Sequence, residues 1–201
     1  LLAERGIIVV SVDNRGTGAR GRDFKKVTYL NLGEYETRDQ ADAAAYLAGL
    51  PYIDADRIGI WGWSYGGYMT ALSMMNSDRF AAGVSVAPVT DWHLYDTIYT
   101  ERFMRTPQQN PDGYDRSSPV QKADQLSGDL LLVHGTGDDN VHFQNSVQLA
   151  NALQEANEQF DLMIYPNRTH SISGGNTTVH LFNHITSWLV DKLAQPAQPT
   201  S

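Results

Sequence analysis

Gly62-Trp63-Ser64-Tyr65-Gly66-Gly67 lies between an apolar run ending at Trp61 and a helical pattern opening at Tyr65, and few chain geometries accommodate that combination. It fits G-x-S-x-G at a strand-to-helix junction, the setting of a nucleophile elbow. Such a turn holds the serine in a strained backbone conformation and lifts its hydroxyl above the sheet. Glycines flank it because side chains there would collide across the turn. The helix start leaves N–H groups without intrahelical acceptors, aimed at the reaction centre. The Tyr65 N–H is therefore placed to donate to an oxyanion. The competing reading is a glycine-rich turn with an incidental serine, and the strand before it, the helix after it and the extra Gly67 disfavour that.

The rest of the chain has the pattern that such an elbow needs. Short apolar runs at residues 7–12, 57–61, 82–87, 130–134 and 160–165 read as strands. Residues 34–50, 65–75, 146–158 and 178–193 read as helices. Mostly apolar strands separated by helices predict a parallel sheet covered on both faces. The polar, proline-punctuated stretch 106–124 reads as a long connection, and 194–201 as a loose tail. No internal repeat and no second domain is evident, so 1–193 reads as one catalytic unit.

Charge and composition narrow the function classes. A net charge of −8 with scattered basic residues disfavours nucleic acid and anionic membranes as partners. The absence of cysteine removes disulfides, thiolate metal sites and a cysteine nucleophile, and leaves the redox compartment open. No apolar run is long enough to suggest a spanning helix.

A serine nucleophile needs a base, and the base needs an orienting acid. On an α/β-hydrolase scaffold the chain order is Ser, then Asp or Glu, then His, with the partners on loops after later strands. The fourth predicted strand ends in His134-Gly135-Thr136-Gly137-Asp138-Asp139-Asn140, and the fifth in Pro166-Asn167-Arg168-Thr169-His170. His170 is thus the candidate base, while the acid is either Asp138 or Asp139. His134 reads as a packed or loop-anchoring residue. His93 precedes both aspartates and His142 shares their loop, which sets both aside. His180 and His184 could share a helix face, but Leu181 stands where H-E-x-x-H requires glutamate. Asn167-Arg168-Thr169 and Asn176-Thr177-Thr178 fit the glycosylation pattern, which matters only in a eukaryotic secretory host.

Gly16-Thr17-Gly18-Ala19-Arg20-Gly21 matches G-x-G-x-x-G and must be weighed as a dinucleotide site. That site needs a helix opening at the glycines and an acidic residue about 20 positions on, at a second strand end. No second strand follows before the helix near Glu34, so the segment reads as a loop beside the active site.

Taken together, residues 12–18 (VDNRGTG), 62–67 (GWSYGG), 86–90 (VAPVT), 95–102 (YDTIYTER) and 134–143 (HGTGDDNVHF) resemble the prolyl oligopeptidase family. The likeness is strongest to its dipeptidyl peptidase IV branch, in bacterial form, and covers nearly the whole chain. The resemblance implies an α/β-hydrolase fold and assigns the acid to Asp138. It implies Ser64 as nucleophile, His170 as base and Tyr65 N–H as one oxyanion donor. Tyr65, Val89, Trp92, Tyr95, Tyr99 and Val141 match positions lining the pocket for the penultimate substrate residue. Asn140 matches a side chain that binds the substrate carbonyl. An aromatic box suits a proline ring, which is compact, apolar and lacks an N–H. Without the resemblance, Trp92, Tyr95 and Tyr99 read as one face of a packed helix.

The resemblance further implies release of Xaa-Pro or Xaa-Ala dipeptides from peptide amino termini, with no cofactor. The alternatives are an acylaminoacyl peptidase, an esterase on the same scaffold, or a non-catalytic binding relative. It points to a periplasmic or secreted setting and admits a homodimer. Two departures stand out. Ser171 occupies a position commonly glycine in the family. The N-terminal propeller, the strand preceding Leu1 and the tyrosine supplying a second oxyanion donor are expected upstream, so the domain reads as N-terminally truncated and poorly stable alone.

Overall fold

The structure, a computed structural model, describes residues 1–194; beyond Ala194 the expected tail lies outside the described residues. In chain order the elements are α1 (Arg22–Lys26), α2 (Glu34–Ala48), β1 (Gly59–Trp63), α3 (Tyr65–Asn76), β2 (Ala82–Val86), α4 (Thr97–Met104), α5 (Pro111–Arg116), β3 (Asp129–Gly135), α6 (Gln144–Glu155), β4 (Asp161–Tyr165) and α7 (Thr177–Leu193). Short 3-10 turns occupy Ala3–Arg5, Trp92–Leu94 and Val120–Gln125.

The strands form one four-stranded sheet in the order β1-β2-β3-β4, parallel throughout. The period-2 alternation of strand side chains divides the core between the two faces. Val84, Val86, Leu131 and Val133 pack on Leu181, Ile185 and Leu189 of α7. Leu130 and Leu132 point the other way, into Ala71 and Met74 of α3 and Leu149 and Leu153 of α6. Helices thus cover both faces, as the α/β-hydrolase fold requires. The carboxyl ends line up across the sheet: Trp63 pairs with Val86, Val86 with Val133, and Gly135 with Tyr165. Loops leaving those ends converge on one rim.

Two sequence expectations are corrected. Residues 7–12 form no strand, and Ile8, Val9, Val10 and Val12 are exposed. Their β-branched side chains favour extended backbone, but a strand also needs a ladder partner. Among the described residues neither they nor the outer edge of β1 has one. A cavity of about 1230 Å³, lined by Ile8, Val10, Leu47, Ile58, Ile60 and Met69 among others, opens there. The stretch 106–124 is also more ordered than a plain connection. Pro111 starts α5 with its fixed φ at a position where a missing N–H costs nothing. Asn110 Nδ2 anchors that start by donating to the Leu30 and Met104 carbonyls, each at 3.0 Å.

Candidate active site

Ser64 sits between β1 and α3 with φ 60° and ψ −115°, a backbone conformation that side chains rarely adopt. Its N–H donates to the Val86 carbonyl at 2.8 Å, and its own carbonyl accepts from Tyr68 N–H at 2.9 Å. The turn is tight enough that a Cβ on Gly62 would lie 2.5 Å from Gly66 backbone atoms. Tyr65 is the first residue of α3, so its N–H has no intrahelical acceptor.

Both loops expected to carry the base and acid reach the same rim and are stitched together. Thr136 N–H donates to Tyr165 O and Gly137 N–H to Arg168 O, each at 3.0 Å. Asn167 N–H donates to Thr136 Oγ1 at 2.8 Å. Across this seam His170 Nδ1 meets Asp138 Oδ2 at 2.7 Å. Asp138 is buried, and its other oxygen accepts from the N–H groups of Asn140 and Val141, each at 3.0 Å. Asp139 is exposed, so the geometry separates the two aspartates that motif logic left tied. With Nδ1 turned to the carboxylate, His170 has Nε2 on the other side of the ring for a hydroxyl. Trp63 Nε1 donates to the His170 carbonyl at 2.9 Å, tying the histidine loop to the residue before Ser64. Among the described residues no hydrogen bond joins the Ser64 hydroxyl to His170. Such contacts commonly tighten only once substrate binds.

Close approach at the seam makes Gly135 indispensable. A Cβ there would meet the Arg168 carbonyl oxygen at 2.2 Å. Gly135→Ala is expected to push the His170 loop outward and to cost about 1–3 kcal/mol as overpacking. Chemical denaturation of the variant against the parent checks this. Two residues after His170, Ile172 takes positive φ (43°) while its side chain is fully buried beside α7. Ser171 itself needs no positive φ, so serine in place of the family's common glycine is accommodated.

The pocket residues also gather. The Trp92 ring lies 5.9 Å from Tyr65, 6.1 Å from Tyr95 and 6.0 Å from Tyr99, stacked on the last. Val89 and Val141 are buried in the same cluster. Asn140 Oδ1 accepts from the Tyr95 hydroxyl at 2.6 Å, which puts its amide at the mouth of the aromatic box. Trp92 is almost fully buried, whereas Tyr99 keeps 36% exposure, so the box is both core and open wall. Burial raises the Tyr65, Tyr95 and Tyr99 hydroxyl pKa values and keeps them protonated.

Of the rival histidines, His93, His180 and His184 are engaged elsewhere. His93 bonds Asp91 at 2.6 Å, and His180 bonds the Tyr165 hydroxyl at 2.9 Å while stacking on His184. The glycine-rich loop at 16–21 opens only the five-residue α1 and is held by Arg15 pairing with Asp39 on α2. That is not a dinucleotide cradle.

Sequence reasoning missed Glu36 entirely. It is buried on α2, its Oε1 accepts from the Tyr65 hydroxyl at 2.7 Å, and burial raises its pKa. Carboxylates in a first helical turn are ordinary, so nothing in the text marked it. His134, which reads from the sequence as a packed or loop-anchoring residue, is fully buried and contacts Asp138 on the acid loop at 3.1 Å. Burial depresses its pKa below the ordinary 6.5. An unfolded chain therefore takes up a proton that the folded one refuses. Stability should fall as pH drops below about 6.5, and thermal melts across that range should show a shallower slope in His134→Gln.

A model of the prolyl oligopeptidase family matches residues 1–196. The chain is 49% identical over 191 residues to "Probable dipeptidyl-aminopeptidase B" of Neurospora crassa, covering 92% of this chain and 21% of that one. The like-named protein of Talaromyces marneffei is 47% identical over 189 residues, with the same coverage of each chain. The crystal structure of Porphyromonas gingivalis dipeptidyl peptidase 4 superposes with a TM-score of 0.89 at 53% identity, over 90% of this chain and 26% of that one. The chain thus spans about a quarter or less of the length of these relatives. With the elbow, the parallel sheet and the converging loops already in place, this chain belongs to the prolyl oligopeptidase family.

Proposed function

We propose that this chain carries the catalytic residues of a serine peptidase that removes Xaa-Pro or Xaa-Ala dipeptides from peptide amino termini. The observation that carries the reading is the Asp138–His170 pair at 2.7 Å, on the same rim as Ser64 in its strained elbow. Relatives named dipeptidyl-aminopeptidase support release of dipeptides from amino termini, and the aromatic box suits a proline ring at the penultimate position.

In this reading His170 Nε2 takes the Ser64 proton as Oγ attacks the scissile carbonyl. Asp138 holds the imidazole in the tautomer whose Nε2 is free, and stabilises the imidazolium that forms. The Tyr65 N–H donates to the oxyanion, where one such donor is commonly worth about 10²–10³ in turnover. The imidazolium then gives its proton to the leaving amine. Water hydrolyses the acyl-enzyme by the same steps in reverse. The box of Trp92, Tyr95, Tyr99, Tyr65, Val89 and Val141 takes the penultimate side chain, and Asn140 binds a substrate carbonyl. No step calls on a metal or organic cofactor.

The propeller that the resemblance implies, and a strand filling the cavity beside β1, belong to the same proposal. An unpaired sheet edge facing an apolar cavity is costly to leave open. The activity is therefore tested in the full-length protein. Xaa-Pro anilides with a free amino terminus should be cleaved, and their N-acylated forms and short-chain esters should be poor substrates. Preference for acylated substrates or esters would replace this reading with the acylaminoacyl peptidase or esterase one.

A further inference from the structure

We infer that His134, braced by Ser146, is a positioning residue that fixes the Asp138 carboxylate in the orientation that holds His170. This rests on the proposed roles of Asp138 and His170.

His134 lies on β3, fully buried, and uses both ring nitrogens. Nε2 lies 2.9 Å from the Val141 carbonyl and 3.1 Å from Asp138 Oδ2. Nδ1 lies 2.7 Å from Ser146 Oγ. A carbonyl can only accept, so Nε2 bears the proton. The ring is neutral, because burial lowers its pKa, so Nδ1 accepts from the Ser146 hydroxyl. Ser146 lies in the first turn of α6 and is itself buried. The tautomer is thereby set from the far side, by a helix that takes no direct part in the chemistry.

The Asp138 carboxylate consequently receives four N–H groups. Oδ2 accepts from His170 and shares the single His134 Nε2–H with the Val141 carbonyl, and Oδ1 accepts from the backbones of Asn140 and Val141. A carboxylate has about four acceptor sites, so every one is taken and rotation of the group is blocked. Neutrality of the second histidine matters. A cationic His134 would claim the carboxylate charge that must stabilise the imidazolium forming on His170. The Asp138 and His170 side chains are the titratable groups that face His134. His134 also bonds the Val141 carbonyl, which ties the acid loop to β3.

A packing role and a positioning role predict different kinetics. In the full-length protein, His134→Leu should lower kcat by roughly 10²-fold with KM nearly unchanged, the loss expected when a catalytic group is misplaced. His134→Gln can place an amide N–H near the Nε2 position and should recover most of that loss. Ser146→Ala should lower kcat by roughly tenfold, at the low end of losses seen when a group that orients a functional residue is removed. An unchanged kcat in His134→Leu, or equal slowness of the Leu and Gln variants, would overturn the inference. Should His134→Leu not fold, an unchanged kcat in Ser146→Ala overturns it and a reduced one supports it. Fluorophosphonate labelling of the unsubstituted protein separates the two levels. No label at Ser64 sinks the catalytic reading itself, whereas labelling with indifferent variants sinks only the role of His134.

Discussion

Ser64→Ala should lower kcat for an Xaa-Pro anilide by about 10⁶-fold, the scale on which removal of the nucleophile acts in other serine peptidases. Alanine keeps the Cβ and so keeps the steric demand of the elbow, where φ is 60°. The N–H bond to Val86 and the carbonyl bond from Tyr68 are backbone contacts and survive. The substitution therefore isolates the hydroxyl, and melting temperature should stay close to that of the parent. Substrate should still bind, because the aromatic box and Asn140 are untouched. An inhibition constant for a slowly cleaved dipeptide analogue, measured beside kcat, checks that the loss is one of chemistry.

Asp138→Asn should cost about 10⁴-fold in kcat, the loss seen elsewhere when the triad acid becomes an amide. The reason lies in what surrounds the side chain. One oxygen faces two backbone N–H groups and the other faces His170 and His134. An amide has a single oxygen, and keeping it on the backbone donors turns the NH₂ toward His170 Nδ1. That nitrogen must then accept, which forces the proton onto Nε2, where it cannot take one from Ser64. The reverse rotation sets NH₂ against backbone N–H, an unsatisfied buried donor costing about 1–3 kcal/mol. That penalty favours the first orientation, in which the histidine loses its role, and since the amide NH₂ then also meets the His134 N–H the variant should melt lower than the parent. A kcat within tenfold of the parent would mean that Asp138 does not orient the base.

Much of this arrangement was legible in the text because it follows from local rules. The G-x-S-x-G elbow, the parallel strands and the chain order of acid and base are fixed by periodicity, glycine placement and topology. Ser64 lies at the strand-to-helix turn and Asp138 meets His170 on the neighbouring loops, while the choice of Asp138 over Asp139 needed the family resemblance, because motif order left the two tied. The aromatic box needed the family resemblance, since residues 92, 95 and 99 alone read as a packed face. What stayed hidden depends on long-range neighbours. Residues 7–12 have every local mark of a strand, yet strand formation is decided by a partner, and none is present among the described residues. Glu36 is silent because its partner, Tyr65, is 29 positions away. His134 reads from the sequence as packed or loop-anchoring, but that its anchor is the Asp138 carboxylate itself depends on the fold of the following loop.

The central claim is tested most directly by treating the full-length protein with a fluorophosphonate and mapping the adduct by mass. A single label on Ser64, formed at a rate that collapses in His170→Ala and in Asp138→Asn, is the predicted result. An unlabelled protein with intact fold, or a label on another serine, would contradict it.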